Sequence, residues 1–287
     1  MITEETYTLT NGVEIPKLAL GTWMIPDDEV AAAVRAAIDL GYRHIDTAQA
    51  YQNERGVGEG VRTSGVGRDE LFITTKLAAE AKTYDEAAAA IEDSLVALGV
   101  EVIDLMLIHS PQPWRHFGGD DRFAEGNRAA WRALEDAYRA GKLGAIGVSN
   151  FQRVDVENLL EGCRTAPMVN QVLAHISNLP TVLIEFSQAQ GMLVEAYSPI
   201  AHGELMKNDQ VTAMAERYGV SVPQLAIRFT LELGLLPLPK TTKPAHMKNN
   251  AAVDFEIRPE DLDVLKNLPP IEGYGEHSEI PVFAVNG

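Results

Sequence analysis

The chain has one cysteine in 287 residues, Cys163, so no internal disulfide can form. That thiol stands near an expected helix end among ordinary residues, where packing explains it better than nucleophilic catalysis. No run of about 18 apolar residues occurs, which excludes a membrane-spanning helix. Cations are scarce: 24 Lys and Arg stand against 41 Asp and Glu, a formal net charge of −17. Such a balance argues against general affinity for nucleic acid or an anionic membrane, and the excess acid reads as solvated surface. There is no His-x-His pair, and a metal site on His44, Asp46 and His109 would be short of ligands, so no metal is expected. The opening Met1 to Gly12 is polar, without the apolar core of a signal peptide, and the cytoplasm is the expected location. A Gly-x-Gly-x-x-Gly turn is also missing. Gly56, Gly58 and Gly60 fall inside a helical pattern, which makes a doubly wound dinucleotide domain a weak reading.

What is present is a regular alternation. Hydrophobic residues make up 46% of the chain, and no linker-like stretch divides it, so residues 1–287 read as a single domain. Tyr7–Thr10, Asn11-Gly12 and Val13–Ile15 form a hairpin signature, with Asn-Gly supplying the positive φ angles of a tight turn. Short apolar strands follow at Leu18–Leu20, Arg43–Asp46, Leu71–Lys76 and Val102–Ile108, then at Leu143–Val148, Met168–Gln171, Met192–Tyr197 and Leu235–Leu238. Amphipathic helices lie between them. One has Val30, Val34 and Ile38 on a face and stops at Gly41; another has capping-box spacing at Thr83 and Glu86 and stops at Gly99; a third stops at Gly141. About eight strand–helix units favour a closed α/β (β/α)8 TIM barrel over an open sheet.

Polar residues end one apolar strand after another: Asp46, Lys76, His109, Ser149-Asn150, Gln171, Tyr197-Ser198 and Lys240-Thr241-Thr242. In a parallel barrel all of these ends open on one face. Among them, Asp46, Tyr51, Lys76 and His109 suit the protonation of a carbonyl oxygen. A tyrosine hydroxyl is too weak an acid at its ordinary pKa near 10, but a neighbouring ammonium favours phenolate. Lys76 supplies that ammonium, Asp46 holds it, and a neutral His109 can donate to the carbonyl oxygen. The blander alternatives stay open: Lys76 and Asp46 as a buried ion pair, His109 as a core histidine. Lys240, Lys243 and Lys248 cluster around His246 where a strand end enters a helix at Pro244, an arrangement suited to phosphate or, alternatively, a solvated basic face. Ser149, Asn150 and Gln171 could hold a nicotinamide carboxamide, with Tyr197 stacked on the ring.

The strings Gly41-Tyr42-Arg43-His44-Ile45-Asp46-Thr47-Ala48 with Tyr51, Thr75-Lys76-Leu77, Leu107-Ile108-His109 and Gly147-Val148-Ser149-Asn150-Phe151 resemble the aldo-keto reductase superfamily. Asn170-Gln171-Val172, Ala196-Tyr197-Ser198-Pro199 and Pro239-Lys240-Thr241 match it in order and spacing. The likeness covers roughly residues 5 to 270 and is nearest to bacterial 2,5-diketo-gluconate reductase-like members. It implies a barrel with the hairpin plugging its bottom, NADPH extended across the top, cofactor binding first and transfer of the pro-R hydride to an aldehyde or ketone. Dicarbonyls and keto-sugars are included as substrates. It also implies cofactor contacts from Gly21, Thr22, Ser149, Asn150, Gln171, Tyr197, Ser198, Ile200, Lys240, Thr241, Thr242, His246 and Asn250, and a monomer. Trp23 falls where the family has a substrate-pocket tryptophan, although barrel packing would also account for it.

Three departures stand out. Ser110 replaces the tryptophan that usually follows the catalytic histidine, so Ser110 and the later Trp114 are expected at a roomier substrate pocket. Leu173 and Ala174 replace a glutamate and a tyrosine. His246 replaces the arginine that meets the 2′-phosphate of NADPH, which predicts that NADH is used as well; compensation by Lys243 or Lys248 is the alternative. The tail residues Tyr274, His277 and Phe283 either close over the site or only cover the barrel. The competing functions are a non-catalytic, cofactor-binding regulatory member of the same fold and a barrel hydrolase or lyase. An intact tetrad and the lack of a nucleophile motif argue against them.

Overall fold

The computed structural model describes residues 1–275 and 280–284. Strands β1 (Thr6–Thr8) and β2 (Glu14–Pro16) pair antiparallel, with Thr8 opposite Glu14. Their turn differs from the expected one, because only Gly12 of the Asn-Gly pair has positive φ, at 86°. Gly12 N–H donates to Leu9 O (2.9 Å) and Leu9 N–H to Val13 O (2.8 Å). The result is a three-residue loop closed by a left-handed glycine, which preserves strand twist as a primed two-residue turn would. Asn11 instead turns its side chain to local bonding, its Oδ1 accepting Val13 N–H at 3.1 Å.

Eight parallel strands form the barrel: β3 (Ala19–Gly21), β4 (His44–Asp46), β5 (Phe72–Leu77), β6 (Ile103–Ile108), β7 (Leu143–Ser149), β8 (Val169–Leu173), β9 (Leu193–Tyr197) and β10 (Leu236–Leu238). Each pairs with its sequence neighbour. The ring closes just past β10, where Gly21 N–H donates to Pro239 O at 3.1 Å. The hairpin sits beneath it: Asn11 Nδ2 donates to Gly144 O (3.0 Å) and Tyr7 Oη to Leu235 O (3.3 Å), both at strand starts.

Helices α1 (Asp27–Asp39), α2 (Glu54–Arg62), α3 (Tyr84–Leu98), α4 (Ala124–Arg139), α5 (Arg153–Leu160), α6 (Thr181–Ala189), α7 (Asp209–Tyr218) and α8 (Val222–Glu232) wrap the barrel. After β10 come α9 (Pro244–Ala251), α10 (Pro259–Lys266) and α11 (Pro281–Ala284). The capping box of α3 forms as its spacing predicts, with Glu86 N–H on Thr83 Oγ1 and Thr83 N–H on Glu86 Oε2. Gly56, Gly58 and Gly60 serve helix packing. A Cβ at Gly56 would lie 2.1 Å from Asp27 O, and one at Gly58 would lie 2.0 Å from Leu98 O. Those glycines let α2 nest against α1 and α3, so their spacing has nothing to do with phosphate. Cys163 is half-buried against the core, its thiol pushed up first by burial and then by Glu135. Among the described residues, no helix is long and apolar enough to cross a membrane.

Candidate active site

The strand ends do converge. Asp46 ends β4, Lys76 is next to last in β5, and His109 follows β6. Tyr51 closes a short 3-10 turn, Gln49–Tyr51. Gln49 fixes that turn, donating to Ala90 O and Ser94 Oγ of α3 (2.6 and 2.8 Å) and accepting Ala78 N–H (2.8 Å). The ammonium of Lys76 is fully buried and uses all three hydrogens: Asp46 Oδ1 at 2.7 Å, Thr47 O at 2.8 Å and Tyr51 Oη at 3.4 Å. Burial pulls its pKa down, but Asp46 together with Tyr51 and Glu195 more than offsets this, and the net shift is upward. Lys76 is therefore a fixed cation.

For Tyr51 the expectation of phenolate near neutral pH needs correction. Burial raises the phenol, Lys76 lowers it and Asp46 raises it again, and the net shift is upward. The pull of Lys76 has the expected sign but is smaller than the desolvation. The hydroxyl is thus protonated and beside a cation, able to release its proton as negative charge grows next to it. His109 donates its backbone N–H to Leu77 O (3.1 Å), and burial followed by Lys76 holds its imidazole well below the usual range. The neutral ring stands edge-on to Tyr51 (5.7 Å) and Trp114 (5.1 Å).

Behind this set lies a residue the strand-end reading missed. Gln171 Nε2 donates to Asp46 Oδ2 (2.9 Å) and to Glu195 Oε2 (2.7 Å), so one amide joins two carboxyl groups. Glu195 sits mid-strand in β9 and is fully buried. An acidic residue inside the otherwise apolar Met192–Ala196 was the available signal. Asn150 is similarly committed within the protein. Its Nδ2 donates to His109 O (3.0 Å) and Ser149 Oγ (3.1 Å), while its Oδ1 accepts Tyr197 Oη (2.8 Å).

One cavity of about 1320 Å³ runs from Trp23, Tyr51, His109 and Trp114 past Ser149 and Tyr197 to Lys240, His246 and Asn250. Gly21, Asp46, Asn150, Gln171, Ser198, Ile200 and Thr241 also line it. Its volume and its lining fit a nicotinamide dinucleotide with a small substrate at the inner end. Thr22, Thr242 and Ser110 do not line it. Thr22 turns its hydroxyl to Asp46 O (2.9 Å) and Thr242 faces solvent. Ser110 is fully buried, its Oγ accepting Gln112 N–H at 3.2 Å. Trp114 therefore supplies the wall beside His109, and the missing tryptophan is replaced from further along the loop. That loop is laced down by Lys82, which donates to Ser110 O (2.9 Å) and Asn127 Oδ1 (2.8 Å), and by the Arg122–Asp155 pair.

The basic cluster divides. Lys240 and His246 line the main cavity, whereas Lys248 lines a separate cavity of about 830 Å³ with Arg43 and Phe72, at the barrel's lower end. The turn of α9 thus sets Lys248 apart from the cavity that His246 lines. His44 lies one layer below Asp46 and pairs with Thr74 Oγ1 at 2.8 Å. Among the described residues, no group of three or more His, Cys, Asp or Glu is arranged to hold a metal ion. The tail does reach the site: Phe283 and His202 each stand 5.5 Å from Trp23, and Tyr274 stacks on His202. His277 lies outside the described residues.

Comparison with known proteins agrees with this geometry. The pattern of the Aldo/keto reductase family matches residues 17–268. Glyoxal reductase of Bacillus subtilis (strain 168) is 40% identical over 282 residues, 98% of each chain. An aldo/keto reductase from Brucella melitensis superposes with a TM-score of 0.86 at 35% identity, covering 93% of this chain and 98% of that one. The Bombyx mori aldo-keto reductase solved in complex with NADP gives 0.83 at 32% identity, covering 98% of both chains.

Proposed function

The chain belongs to the aldo/keto reductase family, and from that premise we propose a carbonyl reductase that uses Tyr51 as its proton donor and accepts both NADPH and NADH. When bound, a reduced nicotinamide supplies hydride to the carbonyl carbon. The remaining work falls to the chain's own residues. His109, neutral and flanked by Tyr51 and Trp114, donates a hydrogen bond to the carbonyl oxygen and orients it. Tyr51 Oη gives that oxygen a proton as alkoxide develops. The resulting phenolate is stabilised by Lys76, which Asp46 and Thr47 O hold in place. Trp23, Trp114 and Phe283 keep water away from the reacting end. The observation that carries this reading is the single contact set Asp46–Lys76–Tyr51 beneath the cavity floor.

For the substrate we propose small aldehydes and ketones, dicarbonyls and keto-sugars among them, in keeping with the named activity of the Bacillus subtilis relative, glyoxal reductase. Dual cofactor use is supported by His246 in the outer wall. An imidazole offers a 2′-phosphate neither a permanent charge nor a fork, and one lost charge-assisted bond costs about 1.5–3 kcal/mol, roughly 10- to 150-fold in preference. Lys240 keeps some attraction for the phosphate. A carbonyl panel followed by NAD(P)H absorbance tests both parts. Turnover with both cofactors is expected; a kcat/KM preference for NADPH above about a thousandfold contradicts dual use, and no turnover with either contradicts the reductase.

A further inference from the structure

Of the two carboxyls under the proton donor, Asp46 holds Lys76, but Glu195 has no place in the reaction described so far. Glu195 and Asp46 come from β9 and β4, three strands apart around the closed barrel, yet both accept from the same Gln171 nitrogen, at 2.7 and 2.9 Å. The other oxygen of Glu195, Oε1, is buried with no partner among the described residues. Burying a carboxyl is costly, and leaving half of it unpaired is more so. A purely structural spacer between Val194 and Ala196 would be better made of leucine. We infer that Glu195 is a positioning residue of the reductase site, holding Gln171 on Asp46 and setting the charge that surrounds Lys76 and Tyr51.

The electrostatics follow from what faces Glu195. The charged groups that act on it are Asp46 from β4 and Lys76 from β5, and the same Lys76 acts on Tyr51 and His109. Gln171 on β8 is neutral, and β10 presents only Leu236, Pro237 and Leu238. Burial first, then Asp46, lifts the Glu195 carboxyl to about 8. At neutral pH it is a neutral acid that accepts from Gln171 without competing for Lys76. Above that range it becomes a second anion beside Asp46. Anionic neighbours raise the cost of phenolate, so Tyr51 becomes a poorer donor as Glu195 ionises. Reduction therefore slows on the alkaline side before Tyr51 itself titrates.

This inference rests on Tyr51 being the proton donor, and its test separates the two. With NADPH saturating, kcat/KM for carbonyl reduction is measured against pH for wild type, Glu195→Gln and Glu195→Leu. Wild type should show an alkaline limb near pH 8. Glu195→Gln keeps an acceptor for Gln171 but cannot ionise, so its limb should move up by about one pH unit or more. Glu195→Leu removes the acceptor and should lower kcat about ten- to hundredfold by letting Gln171 and Asp46 drift. Superimposable wild-type and Glu195→Gln profiles would overturn the inference.

The same ionisation has a stability signature. In the unfolded chain the carboxyl titrates near its ordinary 4.5, so between 4.5 and about 8 the folded state holds the extra proton. Stability from this group therefore falls as pH rises through that window. Glu195→Gln should gain roughly 2–5 °C in Tm over wild type at pH 9 and little at pH 4. If no Glu195 variant folds, infrared difference spectra of wild type between pH 7 and 9 decide. Loss of a protonated carboxyl band supports the inference, and its absence overturns it. Neither readout depends on Tyr51; turnover surviving in Tyr51→Phe would instead remove the reading beneath.

Discussion

At the inner end of the cavity Lys76 directs all three ammonium hydrogens to Asp46, Thr47 and Tyr51, and Gln171 ties Asp46 to Glu195. At the outer end no hydrogen bond or ion pair engages the side chains of Lys240 or His246 among the described residues. The difference follows from burial. Charges taken out of water must be paired by the protein or they destabilise it, whereas groups near solvent can wait for a ligand. The inner end is therefore fixed in geometry before substrate arrives, as proton transfer requires. The outer end is fixed only in composition, so a residue there can be exchanged without disturbing the fold.

Lys76→Met attacks the paired end and should have the largest effect. Reduction should fall more than about a thousandfold, because phenolate loses its cation while Asp46 remains. Stability should fall by about 3–5 kcal/mol, read as a lower denaturant midpoint, since a buried carboxylate is left unpaired. A variant that kept its stability would show the inner network to be looser than its distances indicate.

His246→Arg addresses the open end. It should raise the NADPH-over-NADH ratio of kcat/KM about 10- to 150-fold, with little change in thermal stability. Lys248→Ala should change the KM for NADPH less than about twofold, since that side chain faces the lower cavity. A large loss there would return Lys248 to the phosphate site and blur the contrast between the ends.

The two ends were also unequally legible in the sequence. The inner set could be read because each apolar strand carries its polar residue at the end, and parallel strands open on one face. Thr83–Glu86 and the glycine stops of α1, α3 and α4 were legible for the same reason: local chemistry decides them. Trp114 lines the pocket as expected, but Ser110 does not, because a loop's side-chain directions are set by distant anchors such as Lys82 and Arg122. Lys248 misled through sequence proximity; two residues along α9, a little over half a helical turn, carry it from the side of His246 to the barrel's lower end. Glu195 was passed over as an ordinary strand residue, although an acid within an apolar strand two places before Tyr197 must point inward with it. The hairpin showed the reverse case, where Asn-Gly identified the turn but not its type.

The proposed reaction turns on the Tyr51 hydroxyl. Tyr51→Phe keeps the ring against His109 and removes only the hydroxyl, so steady-state reduction with NADPH beside a fluorescence titration of NADPH binding isolates the proton. The expected result is a loss of about 10²- to 10⁴-fold in kcat with NADPH affinity within a few-fold of wild type. Turnover at the wild-type rate with intact cofactor binding would contradict it.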